Sequence, residues 1–218
     1  PGSGACLVKR NDRTDEPRAR GASMRTRAEK LLVENLVFGT AMRTVRRFPA
    51  SRERVHAAIG GTARASTRVD ASHRVFTSPR HVRFVEMEYG IPVVAVPEAF
   101  GRVRSLVDAM QEPPSFPVEV RVSAEDGIPL STANRRASGW IAVHRYKGLP
   151  FDDYFRGVEA IMADYDGRPH WGKLHYQAAD SLRPLYRDWD RFAKVRTQTD
   201  PAGTFANDYL DRVLDPLP

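Results

Sequence analysis

Residues 118–122, VEVRV, alternate strictly between valine and charge. In an extended chain successive side chains point to opposite faces, so Val118, Val120 and Val122 share one side and Glu119 and Arg121 the other. The valine face is expected against a core. The other face then presents a carboxylate and a guanidinium side by side on a rigid element. Burying them is costly unless they meet a polar cavity or one another. An exposed cross-strand ion pair accounts for the same pattern.

A second strand, SGWIAVHRYKG, sets Trp140, Ala142, His144 and Tyr146 against Ile141 and Val143. Paired with VEVRV, it brings His144 and Tyr146 beside Glu119 and Arg121. Upstream, HRVFTS is strand-like, and VRFVEMEYGI alternates Val82, Phe84, Glu86 and Glu88 against Arg83, Val85, Met87 and Tyr89. Helical spacing marks VPEAFGRVRSLVDAMQ, with Pro97 at its entry and Phe100, Val103, Val107 and Met110 on one stripe. It marks PFDDYFRGVEAIMADYDG too, with Tyr154, Val158 and Ile161 inward and Gly167 as the stop. Further helices are expected near 181–195, carrying Leu182, Leu185, Trp189 and Phe192, and at FANDYLDRVL.

Before these segments, Met24 to Phe48 reads as a helix with Leu32, Leu36, Gly39 or Thr40, and Arg43 on one face, stopped ahead of Pro49. A short helix follows from Arg52 to Ile59. Residues 1–23, rich in Arg, Asp, Pro and Gly, read as a connector, 24–71 as a helical segment and 72–218 as a folded domain. The order of strands and helices in that domain predicts an α+β fold, a mostly antiparallel sheet covered by helices.

No stretch approaches the 18 or so apolar residues of a membrane span, and a single cysteine, Cys6, excludes an internal disulfide and suits a reducing compartment such as the cytoplasm. The opening residues have no Met and no apolar signal core, and read as a cut or mid-protein beginning. Residues 1–80 carry 17 Lys and Arg against 7 Asp and Glu, while 81–218 carry 17 against 20. A basic third of this kind can meet nucleic acid, an anionic membrane or an acidic partner. It has no interleaved aromatics and no nucleic-acid fold signature, so nucleic acid is not expected. No Gly-rich loop leads from a strand into a helix, so no nucleotide motif is present.

Residues 168–175, RPHWGKLH, are unusual for a surface loop. His170 and His175 fit neither helical nor strand ligand spacing and no cysteine assists them, so no metal site is expected. One glycine is too few for a phosphate nest. Lys173, two residues after Trp171, fits better as a fixed cation facing an anionic or electron-accepting ligand. A tryptophan-anchored turn with an exposed lysine fits as well.

Three motifs in order, EVR in a strand, HWGK after a helix and DPAGTFANDYL near the C-terminus, resemble the D-arabinono-1,4-lactone, L-gulonolactone and alditol oxidases. These are vanillyl-alcohol-oxidase-type flavoproteins. FTSPRHVRFVEMEYGIP also looks like the first strand of their substrate-binding domain. The resemblance covers residues 72 to the end, and more loosely reaches back to residue 5.

The resemblance implies an FAD-dependent oxidoreductase of sugar 1,4-lactones, with alditols or other sugar alcohols as the alternative substrates. Hydride passes from a substrate C–H bond to flavin N5, and oxygen or a cytochrome-like acceptor takes the electrons on. FAD is held mainly by an N-terminal domain that this chain does not match, and the chain corresponds to the cap that covers the flavin. Alone it is expected to bind FAD poorly and not to turn over, which leaves a non-catalytic basic interaction module as a further alternative. Glu119 is implied to bind substrate hydroxyls and Arg121 to stabilise negative charge on substrate or reduced flavin. His144 is implied to line the pocket, as a candidate base for the hydroxyl proton. Lys173 is implied to stand beside the flavin ring with His170 and Arg121, where a fixed cation favours the reduced form. Membrane association occurs among such relatives, and nothing in this sequence demands it.

Overall fold

The computed structural model describes residues 6–17, 38–61, 67, 69–75 and 82–216. The chain divides into two compact units, Pro1–Phe84 and Val85–Pro218. Among the described residues no helix is long and apolar enough to cross a membrane.

In the first unit α1 spans Phe38–Arg47, α2 Arg52–Gly61 and α3 Ser72–Val75. Met42 and Val45, three apart and so on one side of α1, are buried. Arg43, expected on one face with Leu32 and Leu36, is exposed. The earlier part of that helix, with Leu32 and Leu36, lies outside the described residues. The expected strand HRVFTS is corrected where it can be seen: His73–Val75 form a helical turn. The Asp70 carboxylate accepts from the Ala71 N–H at 2.8 Å, and the Ala71 carbonyl accepts from Arg74 at 2.8 Å and from Val75 at 3.1 Å. The two backbone hydrogen bonds closing on the Ala71 carbonyl thus prevail over the weak strand preference of so short a segment.

The second unit is the α+β domain. β1 (Phe84–Pro92), β2 (Glu119–Ser123), β3 (Ser138–Tyr146) and β4 (Arg168–Pro169) form one sheet in the order β2-β3-β1-β4. The β2–β3 and β1–β4 pairs are antiparallel. α4 (Val96–Asp108) and α5 (Asp152–Ala163) supply Ala99, Val103, Val107, Tyr154, Phe155, Val158, Ile161 and Met162 to the main core. The sheet supplies Met87, Tyr89, Ile91, Ile141 and Val143, every second residue of β1 and β3. Phe100, expected on the inward stripe of α4, is instead exposed, its place being taken by Ala99.

β2 corrects a stronger expectation. Val120 and Val122 do lie on the side of Ile141, yet they are 43% and 71% exposed. β2 is one edge of the sheet, and the helices pack over β1 and β3. Alternation correctly separated the two faces of the strand but could not tell that its apolar face ends beyond the helical cover.

After α5 the chain reverses through Asp166, a non-glycine residue at φ 50°. Gly167 is needed for close approach, because a Cβ there would stand 2.6 Å from the Met162 carbonyl oxygen. The expected strand at PHWGKLHY shrinks to Arg168–Pro169 followed by a turn. The expected helix near 181–195 is broken into α6 (Ala179–Leu182), a 3-10 turn holding Pro184, and α7 (Trp189–Thr199). The final helix, α8, spans Asp208–Leu214, capped by the Asn207 side chain accepting from Leu210 N–H at 3.0 Å. Leu130, Ala179, Leu182, Tyr186, Trp189 and Val213 make a second core around these elements, with Trp171 packed against it.

Candidate active site

The face of the sheet away from α4 and α5 is polar. In the β2–β3 register Glu119 stands opposite Ala142 and Arg121 opposite Trp140, so these four share a face, and His144 joins them two residues farther along β3. Glu86 and Glu88 lie on the same side of β1, alternating with the core residues Met87 and Tyr89. Residues from three strands and the RPHWGKLH turn therefore converge on one surface.

The convergence is made by ion pairs. The Glu88 side chain is fully buried and bridges two cations, Arg121 through Oε1 and Lys173 through Oε2. Lys173 also donates to Glu86 Oε1 at 2.6 Å, and His144 Nε2 lies 3.1 Å from the same oxygen. Arg121 Nε lies 3.7 Å from Glu119 Oε1. The result is one chain of charge across the sheet, His144–Glu86–Lys173–Glu88–Arg121–Glu119. Burial opposes ionisation of Glu86, but hydrogen bonds from His144 and Lys173, with their charge, outweigh it and hold the carboxyl down to about 2. Glu86 is thereby held as the carboxylate at neutral pH.

The two ends differ in access. Glu119 and Arg121 are half-exposed. His144 is 6% exposed and stacked beside Phe116, with ring centroids 5.8 Å apart. Trp140 is half-buried on the same face and meets the His170 ring edge-on, at 6.4 Å.

The RPHWGKLH segment is held to the edge of β1 by its backbone. His170 N–H donates to the Glu88 carbonyl at 2.9 Å and Leu174 N–H to the Glu86 carbonyl at 3.0 Å. Between them a tight turn forms, Lys173 N–H donating to the His170 carbonyl at 3.0 Å and Gly172 N–H to His170 Nδ1 at 3.1 Å. Leaving the strand and rejoining it within four residues is what aims Lys173 back over Glu86 and Glu88. Trp171 anchors the turn, its indole N–H donating to the Leu130 carbonyl at 2.8 Å.

The two histidines of this segment diverge. His175 turns to the C-terminal helix, its Nε2 lying 3.1 Å from the Tyr209 hydroxyl. Burial, assisted by Arg212, pushes it down to about 4, so it is neutral at neutral pH. No group of three or more acidic, histidine or cysteine side chains fit to hold a metal occurs among the described residues.

Glu119, Arg121, His144 and Lys173, singled out from the sequence, thus stand on one surface, with His170 at its margin beside Trp140. Tyr146, also expected near this group, is the last residue of β3. Glu86 and Glu88 were legible as strand residues turned away from the core. Nothing in the sequence assigned them a role, because the cations that meet them come from residues 121 and 173.

A model of the family described as D-arabinono-1,4-lactone oxidase matches residues 1–213. The chain belongs to that family. An L-gulono-1,4-lactone dehydrogenase of Mycobacterium tuberculosis is 49% identical over 183 residues, which are 84% of this chain and 43% of the relative. The L-gulonolactone oxidase of Bos taurus is 32% identical over 148 residues, 66% of this chain and 34% of its own. A long-chain alcohol oxidase from an uncultured marine euryarchaeote is 31% identical over 108 residues, 46% of this chain and 22% of its own. The chain therefore spans less than half the length of these relatives. The family is FAD-dependent and its members are oxidoreductases of aldonolactones.

Proposed function

We propose that the polar sheet face is one wall of the substrate site of an FAD-dependent oxidoreductase of sugar 1,4-lactones, and that this chain supplies the substrate-binding part. The observation that carries the reading is the meeting of Arg121 and Lys173, from separate parts of the chain, on a single buried carboxylate beside a half-exposed Glu119.

The residues present fit the reactive end of the cofactor. Two cations and a half-buried tryptophan on a flat strand surface suit a planar ring system that gains negative charge, and Arg121 and Lys173 would hold it there. Bound FAD supplies a two-electron acceptor for hydride from a substrate C–H bond.

The remaining chemistry belongs to this chain. Glu119 is exposed enough to accept hydrogen bonds from sugar hydroxyls, and Arg121 beside it counters charge on a lactone oxygen. Oxidising a secondary alcohol also releases the hydroxyl proton, which needs an acceptor on the same wall. His144 was the expected base, but its Nε2 faces Glu86 and its ring is buried. That arrangement favours Glu119 as the first contact of the reacting hydroxyl and gives His144 a part through Glu86.

The test is anaerobic addition of L-gulono- or L-galactono-1,4-lactone to flavin-containing protein, followed by visible absorption. Bleaching is expected in the wild type, with turnover losses on the order of a hundredfold in Arg121→Ala and Lys173→Ala. Wild-type turnover in both variants overturns the site assignment. Bleaching by an alditol but not by a lactone moves the substrate within the class, and comparing air with cytochrome c as oxidant identifies the electron acceptor. Protein that takes up no FAD and binds no lactone would leave the basic N-terminal region as the basis for an interaction module.

A further inference from the structure

Glu88 does more than neutralise a neighbour. β2 and β1 are not adjacent, since β3 runs between them. Two strand spacings separate Arg121 from Glu88, about 10 Å of sheet. The Arg121 side chain crosses that gap on the polar face, past Trp140, to reach one carboxylate oxygen. Lys173 arrives from the opposite direction, off the turn that begins where His170 bonds the main chain of Glu88 itself. Glu88 thus fixes the two cations by its side chain and one end of the turn by its carbonyl. A fully buried carboxylate requires pairing, and one cation would meet that need. This one holds two.

We propose that Glu88 is a positioning residue, the anchor common to both cations that sets the spacing of Arg121 and Lys173 and their joint charge toward the electron acceptor. The inference rests on the reading that this face meets the flavin. With Glu86 ionised, the cluster's carboxylates offset its cations, so the wall carries far less positive charge than Arg121 and Lys173 alone would give it. Glu88 is then a means of setting how strongly the wall favours the reduced cofactor.

The decisive measurement is the flavin midpoint potential, read by equilibration with a reference dye, in FAD-loaded protein. Lys173→Met is expected to lower the potential, since a cation is lost. Glu88→Gln keeps the side-chain shape but removes one negative charge, and is expected to raise it while turnover falls. A role confined to folding would not produce opposite signs in the two variants. The double variant Glu88→Gln/Lys173→Met removes both partners and leaves no unpaired buried charge between them. It is expected to return the potential toward the wild-type value, and it decides the matter if Glu88→Gln alone does not fold. A potential unmoved by Glu88→Gln, or a double variant indistinguishable from Lys173→Met, overturns the role of Glu88 and leaves the flavin-facing wall intact. If neither Lys173→Met nor Arg121→Met moves the potential of protein that has bound FAD, the flavin-facing reading itself fails, and the role of Glu88 with it.

Discussion

The Tyr209 hydroxyl donates to the main-chain carbonyl of Trp171 at 2.5 Å, tying the C-terminal helix to the turn that carries Lys173. This bond joins the NDYL segment to the HWGK turn. Asn207 caps α8 and fixes its first turn, α8 presents Tyr209, and Tyr209 holds the turn from behind while Leu130 holds the Trp171 indole.

Tyr209→Phe therefore removes two hydrogen bonds, leaving the Trp171 carbonyl and His175 Nε2 without that partner. The expected loss of stability is about 1–2 kcal/mol, read from the denaturant midpoint. Its distinguishing sign is local: amide exchange of Gly172 and Lys173 should quicken more than that of the β1–β3 strands, and turnover should fall with it. Equal exchange at both places would mean that the turn is held by Trp171 alone.

Much of this arrangement is legible in the chain. Alternation in VEMEYGI and SGWIAVHRY separates core from polar face, because one buried face imposes a period of two. The helical stripe of α5, Tyr154, Val158 and Ile161, is likewise buried as its spacing predicts. What alternation cannot convey is lateral position. Val120 and Val122 have the pattern of core residues and are exposed because β2 is an edge, a fact set by strand order and not by β2 itself. Glu86 and Glu88 have the pattern of solvent-facing residues and are withdrawn from solvent because distant cations close over them. The break between α6 and α7 falls at Pro184, although the apolar spacing of Leu182, Leu185, Trp189 and Phe192 continues across it as in an unbroken helix.

Two glycines, one just past α5 and one inside α4, should respond oppositely to alanine. At Gly167 a Cβ would come within 2.6 Å of the Met162 carbonyl oxygen and 2.9 Å of the Met162 Cβ. Backbone would have to move, so Gly167→Ala is expected to destabilise by about 1–3 kcal/mol. At Gly101, inside α4, nothing lies within 4 Å of the added methyl. There the gain in helix propensity dominates and Gly101→Ala should stabilise by about 0.5–1 kcal/mol. Paired thermal melts check both signs, and similar melting shifts in the two variants would refute the close-approach account of Gly167.

Glu86 links the site to pH. Its carboxyl falls from the ordinary 4.5 to about 2 in the folded protein. A lowered folded value means that the unfolded chain binds the proton more readily. The stability it contributes is thus fully present above pH 4.5 and is lost as pH falls through 4.5 toward 2. With its partial exposure discounted, that contribution is on the order of 2 kcal/mol at neutral pH. Glu86→Gln cannot ionise, so the stability gap between wild type and variant should be widest at neutral pH and narrow steadily below 4.5. Denaturant unfolding of both proteins from pH 7 down to about 3.5 measures the gap, within the window where carboxylates titrate. A gap of constant size would mean that Glu86 acts through the shape of its hydrogen bonds to His144 and Lys173 and not through its charge.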